Sequence, residues 1–208
     1  MKMKTLAVLA GGVAVLASCA TGPGDMHREA VSLMQRDFKP VGIAGMDRLK
    51  QDELQAACNQ YGNSPPVDVA ERLTKAQAAT IKWPADGKLI GNWKEGEKIA
   101  QRGRGMAWND KPGKTSRGEP NGGSCYNCHQ IGPATTSFGT IGPSLYQFGK
   151  ARGYSESVQR YAYGKIYNAK AYNVCSEMPR FGHSGTLTEQ QMKDLTALLM
   201  DPASPVNQ

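Results

Sequence analysis

The chain has 208 residues, with 25 Lys or Arg against 18 Asp or Glu and a formal net charge of +7. That length suits one ordinary domain, or one domain with an extension. The basic residues are scattered among acidic ones instead of massed in blocks, which argues against nucleic-acid binding. The surplus charge suits a solvated surface, or a rim that steers an acidic partner or an anion.

Residues 1–19 read as an export signal. Lys2 and Lys4 precede an apolar stretch from Leu6 to Ala17 that is too short to span a bilayer, and small residues follow. Loss of those two lysines would take the formal charge from +7 to +5. The run Leu16-Ala17-Ser18-Cys19 fits a bacterial lipoprotein cleavage site, with Cys19 as the new, lipidated N-terminus. Ordinary cleavage near Ala20, with Cys19 discarded, is the other reading. Either way the expected location is the periplasm, with membrane attachment only through such an anchor.

Residues 20–84 read as a helical N-terminal extension. Its segments run from about Met26 to Phe38, Met46 to Gln60 and Val67 to Lys82. The middle one places Met46, Leu49, Leu54 and Ala57 at helical spacings, which predicts one buried face. None of the three carries a ligand cluster, a phosphate loop or a catalytic constellation. Trp83-Pro84-Ala85-Asp86-Gly87 is a breaker cluster, and it sets the expected start of a second region, 85–208.

In that region Trp93 to Arg104 predicts a helix, and residues 105–124, rich in Gly, Lys and Asn, predict a loop. Cys125-Tyr126-Asn127-Cys128-His129 follows. Two thiols three positions apart can add to the two vinyl groups of one haem, and the adjacent imidazole can then bind the iron. A zinc site would need a second Cys or His pair at ligand spacing, which is missing. A thioredoxin-like dithiol would need a strand before it, where Gly122, Gly123 and Ser124 stand instead. The motif therefore predicts one covalent haem c, and covalent attachment outside the cytoplasm agrees with an export signal. Next come a turn at Gly142-Pro143-Ser144-Leu145, a helix from Ser155 to Tyr167, and a last helix. Thr188 and Gln191 form a capping-box pair at the start of that helix, and Asp201-Pro202 ends it.

The iron needs a sixth ligand or an open position. Candidates after the leader are Met26, Met34, Met46, Met106, Met178, Met192 and Met200, with His27 and His183. Met192 and Met200 belong to a helical core pattern. Met178 is preferred because Pro179 follows it, and proline fixes the backbone of a ligand-bearing loop. His183, five residues on, is its competitor. Cys58 and Cys175 are left once haem attachment and the leader have taken the other three cysteines. In an exported chain they predict a disulfide; two buried free thiols, or one reactive thiol, are the alternatives.

The order of haem motif, Gly-Pro-x-Leu turn, Met-Pro loop and final helix resembles class I cytochromes c, an all-α fold, here with an N-terminal helical extension. The runs Gly139 to Leu145, Ile166 to Lys170, Met178 to His183 and Leu198 to Asn207 resemble the SoxX family, the monohaem subunits of the SoxAX cytochromes of bacterial thiosulfate oxidation. The resemblance covers about half the chain, from Gly96 to Asn207. It implies that Cys125 and Cys128 anchor the porphyrin and that His129 and Met178 are the axial iron ligands. It also implies that the Pro143 carbonyl accepts the ring N–H of His129. The implied partners are a SoxA-like cytochrome subunit, a SoxYZ-like carrier whose cysteine receives thiosulfate, and a small cytochrome c acceptor. The chain would contribute electron transfer to an S-thiosulfotransferase reaction whose thiol chemistry lies on the partner. The rival functions are a free-standing diffusible electron carrier and a haem sensor with a displaceable distal ligand.

Overall fold

The computed structural model describes residues 23–208; the leader and Cys19 lie outside the described residues. The described chain is all-α, as expected. It holds seven α-helices and no named strand, with backbone pairing outside helices limited to isolated bridges such as Val41 to Ala44. None of these helices is long and apolar enough to cross a membrane. The chain divides into two compact units after Phe38. In the first, α1 (Pro23–Asp37) opens on a proline, whose fixed φ suits the first helical turn. Asp25 lies near its start and pairs with Arg28 one turn on.

In the second unit the segment expected as one helix from Met46 to Gln60 is two elements. A 3₁₀ turn, Met46–Leu49, ends at an extended Lys50, and α2 (Glu53–Gln60) starts afresh. The restart is dictated by Asp52, which accepts from the Gln55 N–H at 2.7 Å while its own N–H donates to Gln55 Oε1 at 3.0 Å. Met46 is therefore left exposed, and the buried face of α2 is made of Leu54, Ala57 and Cys58. α3 (Val67–Ala78) also stops before the expected Lys82. Its last turn tightens through Thr80 N–H to Gln77 O and Ile81 N–H to Ala78 O, and the buried Asn168 amide docks there on Gln77 Oε1 at 3.0 Å and Thr80 Oγ1 at 2.9 Å.

The main core forms between α4 (Trp93–Gln101), α6 (Glu156–Tyr167) and α7 (Glu189–Met200). α4 crosses α7 at Gly96, where a Cβ would stand 2.6 Å from the Asp194 carbonyl carbon and 3.1 Å from the Leu195 nitrogen. Only a residue without a side chain lets the two backbones approach so closely. The start of α4 is tied to the same helix, because the Asn92 N–H donates to Asp194 Oδ1 at 2.8 Å. α7 carries the Thr188–Gln191 capping box and is buried from Gln191 to Met200. Met192 and Met200 are accordingly core residues. Lys193, half-way along, keeps its charge by pairing with Asp86 and Glu189, each at 3.0 Å.

α5 (Phe148–Arg152) is a short helix whose N-terminal N–H groups find a distant partner: Asn207 Oδ1 accepts from Gly149 at 2.9 Å. A second, smaller core joins Leu54, Ala57 and Cys58 of α2 and Leu73 of α3 to Val174. Residues 39–208 form one compact unit that includes the breaker cluster at 83–87. Trp83 faces Tyr163 with ring centroids 5.8 Å apart and lies under the Arg160 guanidinium at 4.3 Å. The α2–α3 layer and the main core therefore meet within one body.

Candidate cofactor site

A cavity of about 290 Å³ opens between the Cys125–His129 segment, the Gly142–Leu145 turn, α5, α6 and α7. That is near the lower end of the range for ligand pockets, roughly 300–1,000 Å³. Its walls are mostly apolar and include Ile131, Phe148, Phe181 and Leu198.

The cysteine motif is held by backbone bonds. The Gly123 N–H donates to the Ile99 carbonyl of α4 at 2.9 Å, and that of Ser124 to Arg102 at 3.1 Å. Ser124 adopts a left-handed φ of 47°, after which Cys125–Asn127 form one 3₁₀ turn. That turn brings the His129 N–H onto the Cys125 carbonyl at 2.9 Å. Both Cys125 and Cys128 are unpaired and half-buried, and Cys125 lines the cavity. Burial pushes the Cys125 thiol up to about 12, so it stays protonated at neutral pH. A redox dithiol reacting through Cys125 would need its thiolate, and burial opposes that. Among the described residues no three His, Cys, Asp or Glu side chains group as metal ligands, so the motif is not part of a structural zinc site.

His129 reaches the cavity with its ring oriented. Its Nδ1 lies 2.7 Å from the Pro143 carbonyl oxygen. A carbonyl can only accept, so the proton sits on Nδ1 and the Nε2 lone pair is free to bind a metal. The ring rests against Gly142, whose N–H donates to the Cys128 carbonyl at 2.8 Å. Met178 lines the same cavity and packs on the main core. His183 does not line it. It is exposed and opens instead on a separate polar pocket with Arg48, Asp52 and Arg180. Its imidazole is held below its usual range, first by partial burial and then by the Arg180 charge. Met106 lines that second pocket as well.

Two residues that the sequence patterns did not single out complete the cavity. Among the described residues, Arg152 and Lys165 are the only Arg, Lys, Asp or Glu side chains lining it. Arg152 stacks near Phe148 and Tyr161 at 5.2 and 5.6 Å, and Lys165 donates to the Ala169 carbonyl at 3.4 Å. Among the described residues neither forms a salt bridge with a carboxylate. Burial lowers the pKa of Lys165, as expected for a cation without an anionic neighbour. Two unmatched cations beside an apolar slot, with an imidazole and a thioether in its lining, fit an amphipathic dianionic macrocycle. The residues present thus fit haem c: Cys125 in the lining and Cys128 just beyond it would take the vinyl groups, His129 and Met178 the iron, and Arg152 and Lys165 the propionates.

Outside the cavity, Cys58 of α2 is bonded to Cys175, with Cα atoms 5.7 Å apart. Five residues after Cys175, Arg180 Nη2 donates to Asp52 Oδ2 at 2.9 Å. Burial alone would raise the Asp52 carboxyl, but the Gln55 N–H and the Arg180 charge hold it below its ordinary range, with Lys170 assisting. A carboxyl depressed in the folded state stabilises the fold above its unfolded pKa, and that contribution is lost as pH falls through the folded value. Urea midpoints measured stepwise from pH 6 to pH 3 should therefore fall more steeply for the native chain than for Asp52→Asn. Equal slopes would remove Asp52 from the acid-sensitive set.

No known protein-family signature matches the sequence. The chain is 38% identical over 160 residues to an uncharacterized lipoprotein of Aquifex aeolicus (strain VF5), an alignment covering 76% of this chain and 73% of that protein. Among solved structures it is similar to a chain in the crystal structure of SoxXA from P. pantotrophus. There the identity is 28% and the TM-score 0.37, over 54% of this chain and 82% of that one.

Proposed function

This chain belongs to the family of the Aquifex aeolicus lipoprotein, and from that premise and the cavity geometry we propose that it is an exported monohaem c-type cytochrome. More specifically, it is the electron-accepting subunit of a SoxAX-like complex. The observation that carries the haem reading is the convergence of His129 and Met178 on one apolar cavity, with the imidazole proton committed to Pro143. When bound, haem takes up and passes on single electrons. The chain's own residues do the rest. Pro143 holds the His129 ring so that Nε2 is presented to the metal. The thioether of Met178 favours a higher potential than a second imidazole would. Apolar walls exclude water, and Arg152 and Lys165 offset the charge of the carboxylates.

The thiosulfate-linked role rests on the sequence resemblance between Gly139 and Asn207. The chemistry at sulfur belongs to a SoxA-like partner, and the electrons it releases come to this chain. The haem-loaded chain should show the weak red-end absorption of an iron–thioether bond, and Met178→Ala should abolish it. An unchanged band would remove Met178 from the iron. Alone, the chain should be redox-active without joining thiosulfate to a carrier cysteine, and a SoxA-like partner should confer that activity. Conjugation by the isolated chain, or failure of every such partner, would overturn the assignment. Cys19 is the lipid attachment point, in keeping with the relative's description as a lipoprotein; an intact mass without acyl chains would refute it.

A further inference from the structure

The loop that carries Met178 has little hydrogen bonding of its own. Pro179 has no N–H, and the Met178 N–H reaches only the Ser176 hydroxyl, at 3.2 Å. Its anchors come instead from α2. At one end Cys175 is bonded to Cys58, near the last turn of that helix. At the other Arg180 is paired with Asp52, the residue that caps its first turn. The two anchor points are six positions apart on the helix, roughly 9 Å along the axis. The Arg180 end is gripped a second time by α3, through Gln77 Oε1 at 3.2 Å. The pair is well placed to hold, since the Arg180 side chain is only 19% exposed. Val174, just before the loop, is buried between Leu54, Ala57 and Leu73. Met178 lies between the anchors, its side chain in the lining of the cavity.

We propose that α2 is a splint for the distal ligand: by holding both ends of the 175–180 loop it keeps the Met178 sulfur at the cavity and suppresses its replacement by other ligands. The inference rests on the haem reading above, and it gives the α2–α3 layer a task that no ligand cluster within it suggested. A thioether is a weak, neutral ligand, so its persistence depends on the free energy of the loop conformations in which it is withdrawn. A covalent tie at one end and a charge-assisted pair at the other make those conformations rarer. An electron carrier benefits, because the same ligand set in both oxidation states leaves little to rearrange on transfer. Cys58, Cys175, Asp52 and Arg180 are positioning residues, acting through Met178.

The test is ligand exchange on the haem-loaded chain. Imidazole displaces the thioether from the ferric form, followed by loss of the red-end band, and carbon monoxide is offered to the ferrous form. The double variant Cys58→Ser/Cys175→Ser should keep the band at rest yet exchange roughly tenfold faster or more. Arg180→Gln, which leaves the disulfide in place, should speed exchange severalfold. Arg72→Gln breaks the Glu53–Arg72 pair within the same layer without touching the loop, and its rate should equal that of the native chain. If the double variant fails to fold, Arg180→Gln decides: exchange at the native rate would overturn the splint. A native chain with covalent haem but no thioether band would instead overturn the ligand assignment, and the splint with it.

Discussion

Gly142→Ala should abolish normal haem ligation while leaving most of the helical fold intact. The position needs glycine for space, not for backbone conformation. A Cβ built there falls among the ring atoms of His129, with Nε2 at 2.7 Å and Nδ1 and Cε1 nearer still. The ring cannot simply swing aside, because its Nδ1–H is committed to the carbonyl of Pro143, the next residue. Nor can the turn withdraw easily, since the Gly142 N–H is bonded to the Cys128 carbonyl at 2.8 Å. Relief therefore costs the His129–Pro143 bond or the link between turn and motif, about 0.5–1.5 kcal/mol for a typical neutral hydrogen bond. The larger loss is orientational, because the imidazole that lines the cavity is displaced from its place there. The variant should show a high-spin or haem-deficient spectrum, with far-ultraviolet circular dichroism close to native. A native low-spin spectrum from Gly142→Ala would show that His129 is not held at this turn.

Removing the disulfide should have the largest effect on stability. Cys58 and Cys175 are 117 residues apart in sequence, so the bond restrains a long stretch of unfolded chain. It also covers the smaller core, where Leu54 and Leu73 are almost completely buried. Loss of a bond of this kind costs about 2–5 kcal/mol. For a unit of this size that corresponds to a fall in Tm of about 5–20 °C. Calorimetry on Cys58→Ser/Cys175→Ser measures it, and a change below about 2 °C would mean that non-covalent packing already holds the two segments together. Arg72→Gln, which breaks an exposed pair, should shift Tm far less.

How much of this was legible depended on whether the signal was local. The cap of α7 is written in four consecutive positions, Thr188 to Gln191, and reads from the chain alone because both partners lie within one helical turn. The cysteine motif is equally local, and so is the proline that marks the Met178 loop. The Asp52–Gln55 cap was written just as locally, yet a continuous apolar period from Met46 to Ala57 concealed it. Periodicity reports which side of a segment is apolar; it does not say that the backbone must restart, and Met46 is exposed as a result.

The amino-acid sequence by itself determined the helical class, the cysteine–histidine motif and the last helix, since each follows from neighbours along the chain. Only the tertiary structure decided what faces what. Met178 and His183 are five residues apart in a loop without a regular period, and folding places one in the cavity lining and the other in a separate pocket. Arg152 and Lys165 look like ordinary surface cations until α5 and α6 bring them to one apolar slot. Asn207 caps a helix that begins 59 residues earlier, at Phe148, and Gly96 matters only where α7 crosses it. These relations depend on distance in space, which folding sets through the burial of whole helices and which no window of sequence contains.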